Sequence, residues 1–172
     1  MRQKPISLIR KRIFEICYKH DNPHLASSLS ALPIIYEIYK DFDFKHDVFI
    51  LSKGHACAAW FAVLEQYGYK PDVTQRHSDI DIKNGISVTS GSLGHGLPLG
   101  LGMSLAKKIK KEKGTIFVLM GDLEQQEGTT WECHELMSGM DNLKVYVDYN
   151  EGQKEYPHVY RLSKEEYEKN TR

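Results

Sequence analysis

Apolar residues near the start of the chain recur every three or four positions. Ile6, Ile9, Ile13 and Ile16 fall on one face of a helix and predict a buried seam. Turn residues follow at Asp21, Asn22 and Pro23, then serines with capping chemistry, then an apolar run from Leu29 to Tyr39 that predicts a second helix. Here the pattern changes. DVFILSKGH (47–55) reads as a short buried strand ending in a turn of small residues, and ACAAWFAVLEQYGY (56–69) as a helix stopped by Gly68. Residues 70–90 are charged and aperiodic, a long loop of a kind that in a compact domain usually serves function. GSLGHGLPLGLGMSLAKKIKKEKG (91–114) is glycine-rich at its start and helical by its end, with Gly114 as the expected stop. TIFVLMG (115–121) has β-strand composition, a helix is expected around Trp131 to Met140, and LKVYVDYN (143–150) is another strand.

Strands alternating with helices predict an α/β fold, a mostly parallel sheet flanked by helices on both faces. In such sheets the carboxyl ends of the strands share one rim, where ligands bind. Asp122 follows one strand and Asn150 the next, so their side-chain oxygens emerge on the same rim although 28 positions separate them. Taken alone, an Asp after a strand is more often a capping residue. The paired placement points instead to a metal: two hard oxygens with a nearby backbone carbonyl suit Mg²⁺, which completes its octahedron with water and phosphate oxygens. A diphosphate is the natural guest.

Composition narrows the class. With 172 residues, 41% hydrophobic and 27% charged, the chain fits one domain. Lys plus Arg and Asp plus Glu balance at 23 each, which gives no field for nucleic acid or an acidic membrane surface. RKR (10–12) and KKIKKEK (107–113) read as solvated helix faces or ends. Cys17, Cys57 and Cys133 are odd in number, far apart and in apolar contexts, so neither a disulfide framework nor a zinc site is expected, and a reducing cytoplasm fits. The first residues lack an uninterrupted apolar stretch and no segment has bilayer-spanning length. The expectation is a cytoplasmic protein that is not exported.

The segment GDLEQQEGTTWECHELMSGMDNLKVYVDYN (121–150) resembles the thiamine diphosphate enzymes, whose signature is GDG, about two dozen residues, then NN; here 26 residues lie between GDL and Asn150. Within that group the resemblance is to the transketolase family. EGTTWE and DNLKVYVDYN are similar to the family's EGxxWEA and xNLxxxxDxN, and NPHLASSLSA to its GHxGSSLSA entrance. FILSKGHACAAWFAVLEQYGY resembles FxLSKGHAxxALYAxLxxxGY, and GISVTSGSLGHGLPLGLGMSLAKK resembles GIExSTGSLGQGLxxAxGMALAxK. These blocks occur in order and span most of residues 20 to 153.

The resemblance implies a thiamine diphosphate-binding domain over residues 1–153, with a polar tail over 154–172. It implies that Asp122 and Asn150 bind Mg²⁺, with the carbonyl of Gly152 as a third protein ligand. It places His55 on the diphosphate, Gly91, Ser92 and Leu93 against the aminopyrimidine, and Gly121, Asp122 and Leu123 at the diphosphate turn. His24 and His77 correspond to substrate-facing histidines, and imidazoles suit proton exchange with sugar hydroxyls near neutral pH. For His77 an exposed loop position is the alternative, because RHSD (76–79) stands where the family has GHPE. Glu127 and Glu132 correspond to a carboxylate network across a subunit interface that relays cofactor activation, the alternative being an exposed helix face.

The implied chemistry is the cofactor's: a thiazolium carbanion attacks a ketose carbonyl, and a two-carbon ketol unit passes to an aldose. Departures exist. Leu123 replaces the last Gly of GDG, Pro23 and Ala26 replace the glycines flanking His24, and the chain stops within what would be the diphosphate domain. The expected partner is a C-terminal transketolase-like subunit that carries the pyrimidine-binding domain, in a heterotetramer serving a specialised sugar pathway. Two alternatives stand beside this. One is another thiamine diphosphate class, deoxyxylulose phosphate synthase-like or 2-oxoacid dehydrogenase-like; the other is a degenerate subunit that only binds or regulates.

Overall fold

Three short runs rich in β-branched and aromatic residues pair as a parallel sheet in the order β1 (Val48–Leu51), β2 (Ile116–Gly121), β3 (Leu143–Asp148). The structure is a computed structural model that describes residues 4–149. Val48 pairs with Ile116, Ile116 with Leu143, and Gly121 with Asp148, so β2 and β3 end level with one another.

Alternate side chains leave the sheet on opposite faces. Phe49, Leu51, Phe117 and Leu119 join one core with α1 (Ile6–Lys19), α2 (Leu25–Ile38) and α3 (Cys57–Leu64). Ile50, Ile116, Val118 and Met120 join a second with α4 (Gly96–Lys110) and Cys133 of α5 (Gly128–Leu136). The expected α/β architecture with helices on both faces is therefore observed. Every residue of α3 is buried, as its all-apolar sequence CAAWFAVL requires of a helix held between other layers. No helix among the described residues is long and apolar enough to cross a membrane, and Cys17, Cys57 and Cys133 are buried free thiols.

Several local expectations are corrected. Ile6 is 40% exposed at the first position of α1, so the buried seam starts at Ile9. Helix α2 begins at Leu25, earlier than the Leu29 run, and its serines lie inside it; the N-cap position is His24, without a side-chain cap bond. Helix α4 ends at Lys110 because Lys111 takes a left-handed conformation. Gly114 serves a different need: at φ +104, an added Cβ would lie 2.0 Å from the His46 carbonyl oxygen. Helix α5 starts at Gly128, where the extended Glu127 offers its carbonyl to the amides of Thr130 and Trp131, and it ends at Leu136. Arg12 is not simply solvated, since its guanidinium donates to both carboxylate oxygens of Glu65 at 2.7 and 2.8 Å and to Glu15 at 3.1 Å. Lys107 likewise donates to the carbonyls of His46 and Lys113, tying the end of α4 to the turn before β1.

Candidate functional site

The carboxyl ends of β1 and β2, the first turns of α2 and the glycine-rich turn before α4 surround one cavity of about 520 Å³. The parallel sheet explains the convergence: each strand delivers its following turn to the same rim. From β1 come Ser52, Lys53, Gly54 and His55; from β2 come Gly121, Asp122, Leu123 and Glu124. Gly91 and Leu93 close another side, and His77 reaches in from the 70–90 loop.

Two expected site histidines, His55 and His77, line the cavity, and the ring of a third, His24, contacts both. Ring centroids lie 5.4 Å apart for His24 and His55, 5.8 Å for His24 and His77, and 6.5 Å for His55 and His77. Burial pulls His55 down to about 4, with the charge of Lys53 and the neighbouring His24 and His77 acting in the same sense. Burial also lowers His24, helped by His77 and Arg76. Both rings are therefore neutral near pH 7, each with one donor and one acceptor nitrogen.

Asp122 caps the turn Leu123–Gln126: its Oδ1 accepts from the Leu123 amide at 3.0 Å. Its Oδ2 is buried and has no hydrogen-bond partner among the described residues. A buried, unpartnered carboxylate oxygen at a ligand rim fits a hard cation. Asn150 and Gly152, the other expected ligands, lie outside the described residues, as does the 154–172 tail. Among the described residues no three His, Cys, Asp or Glu side chains cluster for a metal.

The glycine-rich turn is pressed against its neighbours. A Cβ on Gly96 would meet the Ser52 side chain at 2.3 Å, and one on Gly94 would meet Glu127 Cβ at 2.8 Å. Such contacts bring backbone to the cavity wall, as a diphosphate or heteroaromatic ligand needs. Gly91, Ser92 and Leu93 are exposed at this turn, and Leu93 and Leu123 expose 47% and 46% of their surface. Glu127 is half-buried beside Gly94, whereas Glu132 is exposed on α5; neither lines the cavity.

Two buried polar clusters had no counterpart among the residues expected from the motifs. Lys53, 4% exposed, forms an ion pair with Asp148, whose carboxylate also accepts from Ser30 Oγ at 2.7 and 2.6 Å. Glu124, 1% exposed, accepts from Ser52 Oγ, from the Gly94 amide at 3.0 Å and from the Gly121 amide at 2.7 Å. A charged residue directly after an apolar strand, as in FILSK, or at the end of one, as in VYVD, was the available signal. For Glu124 only its place two residues after Asp122 hinted at a role.

Residues 1–155 match the family described as transketolase, thiamine diphosphate binding domain. The chain is 36% identical over 165 residues to an apulose-4-phosphate transketolase subunit of Phocaeicola vulgatus, covering 82% of this chain and 58% of that one. It is 32% identical over 173 residues to a 6-deoxy-6-sulfo-D-fructose transketolase subunit of a Clostridium species, covering 88% and 63%. It thus spans about three-fifths of the length of these curated relatives. The solved transketolase of Leishmania mexicana superposes with a TM-score of 0.75 at 21% identity over 87% of this chain and 28% of that one, a likeness of fold. The ordered motifs, the parallel sheet with its glycine-walled rim cavity and the family match over residues 1–155 converge: the chain belongs to the transketolase family through its thiamine diphosphate binding domain.

Proposed function

We propose that the chain is the diphosphate-binding part of a two-chain transketolase that holds thiamine diphosphate and Mg²⁺ and moves a two-carbon ketol unit from a ketose to an aldose. One observation carries the reading. The unpartnered Asp122 oxygen, the glycine-rich turn and two histidines, His55 and His77, border one rim cavity, with the His24 ring in contact with both histidines. When bound, the cofactor supplies a nucleophilic carbon able to break a carbon–carbon bond beside a carbonyl.

The chain's own residues then have distinct tasks. Asp122 Oδ2 takes the cation, joined by Asn150 and the Gly152 carbonyl. His55 offers a neutral imidazole to the diphosphate, while Gly91, Ser92 and Leu93 carry the aminopyrimidine on backbone. His24 and His77 exchange protons with sugar hydroxyls, and neutrality lets His24 accept as well as donate. Glu127 and Glu132 share protons with a partner chain that carries the pyrimidine-binding domain, in a heterotetramer, and the assembly works in the cytoplasm. The relatives named as subunits of apulose-4-phosphate and 6-deoxy-6-sulfo-D-fructose transketolases favour a sugar bearing an anionic group and a specialised sugar pathway. Retention of Asp122, Asn150, His24 and His55 favours catalysis over a degenerate, non-catalytic role.

The test is reconstitution. The chain mixed with a pyrimidine-domain partner, thiamine diphosphate and Mg²⁺ should transfer ketol units from a phosphorylated or sulfonated ketose, and each component omitted should abolish transfer. Activity of the chain without a partner would sink the two-chain reading.

A further inference from the structure

Glu124 is an acidic side chain with 1% of its surface exposed, at the floor of a cavity proposed to take an anionic cofactor. Burying a carboxylate there is costly unless donors surround it. Three donors do so, and each comes from a different segment of the wall. Ser52, at the exit of β1, donates its hydroxyl to Oε1; Gly94, in the glycine-rich turn, donates its amide to the same oxygen at 3.0 Å; Gly121, at the exit of β2, donates its amide to Oε2 at 2.7 Å. Ser52 Oγ in turn accepts from the Gly96 amide at 3.1 Å, which extends the network into the first turn of α4.

We propose that Glu124 is a positioning residue that locks the β1 exit, the β2 exit and the glycine-rich turn into one rigid cradle for the diphosphate and aminopyrimidine ends of the cofactor. The cofactor's place in this cradle rests on the function proposed above; the locking itself rests on the hydrogen bonds alone. The linked amides lie one residue from the groups assigned to the ligand: Gly121 precedes Asp122, and Gly94 follows Leu93. Charge-assisted bonds from three segments converge on two oxygens of one side chain, so a change at Glu124 frees all three at once. A carboxylate is required because every partner donates. An amide at this position sets its NH₂ group against a backbone N–H, whichever way it is turned.

Two measurements on wild type, Glu124→Gln and Ser52→Ala test it, all well below their melting temperatures. Amide hydrogen exchange in the free chain is expected to accelerate about tenfold or more in Glu124→Gln at whichever of Gly94 and Gly121 then faces the NH₂ group, and at Gly96 in Ser52→Ala, with the α1 amides unchanged. Thiamine diphosphate binding, measured by calorimetry with Mg²⁺ and the partner chain, is expected to weaken about tenfold or more in Glu124→Gln and by a smaller factor in Ser52→Ala. A merely structural role lowers the melting temperature but leaves both readouts of the folded protein at wild-type values, and that result overturns the proposal. If Glu124→Gln does not fold, Ser52→Ala decides by the same criteria. If wild type binds no thiamine diphosphate, the function proposed above falls, while the exchange rates still accept or reject the lock.

Discussion

Asp122 has one oxygen bonded to the Leu123 amide and one without a partner among the described residues, which the proposed function assigns to the cation. Asp122→Ala loses one hydrogen bond, to the Leu123 amide, and removes an oxygen that has no partner among the described residues. The expected cost in stability is about 0.5–1.5 kcal/mol, against loss of Mg²⁺-dependent thiamine diphosphate binding; calorimetry beside a urea melt separates the two. Leu123 stands where the family has glycine and leaves 46% of its surface open at the cavity. Leu123→Gly is expected to tighten cofactor binding by letting backbone approach phosphate; weaker binding would mean that the turn has adapted to leucine. His55 supplies a pH prediction. Its native ring resists protonation until about pH 4, whereas an unfolded imidazole takes its proton near 6.5. Between these values the unfolded chain binds more protons, so native stability is fully present above about pH 6.5 and falls with pH, by up to about 1.4 kcal/mol per unit from this one ring. His24 acts in the same direction. Urea melts at pH 7.5 and 5.0 should show a shallower loss in His55→Asn than in wild type.

At the scale of elements, the Lys53 and Asp148 ion pair joins the exits of β1 and β3 across the end of β2, with side chains only 3% and 8% exposed. Buried pairs of this kind contribute little over an apolar replacement of both, but removal of one partner strands the other charge. Lys53→Met is therefore expected to destabilise the chain by about 3–5 kcal/mol in chemical denaturation. It should also disturb the exit of β3, two residues before Asn150. A loss below about 1 kcal/mol would show that Asp148 finds other compensation.

For the whole molecule, α5 presents Trp131 at 66% and Leu136 at 65% exposure, on the helix that carries Glu132. Large apolar side chains so placed fit a partner-facing surface. With the pyrimidine-domain chain, Trp131→Ser is expected to weaken assembly about tenfold or more by analytical ultracentrifugation while leaving the melting temperature of the free chain nearly unchanged. Glu127→Gln is expected to slow cofactor activation in the assembly more than it alters folding, because Glu127 is half-buried beside the Gly94 turn and the proposal assigns it proton sharing.

The order of elements followed from local pattern. Strand and helix periods differ, and β2 and β3 end level because parallel pairing sets Gly121 beside Asp148, as the shared rim predicted. The motifs also named several residues that line the cavity, His55, His77, Gly91 and Asp122 among them, since each follows a strand, opens a helix or lies in the long loop. Element ends were less legible: Gly114 looked like a helix stop, yet its conformation answers to His46, 68 positions away, and Lys111 ends the helix. The same physics hid Glu124 and Lys53. A charged side chain in a turn is solvated by default, and only packing across distant segments supplies the donors or counter-charge that make its burial tolerable. Periodicity is a property of neighbours along the chain and was fixed by the sequence itself, whereas compensation of buried charge depends on groups that meet only after the chain has folded.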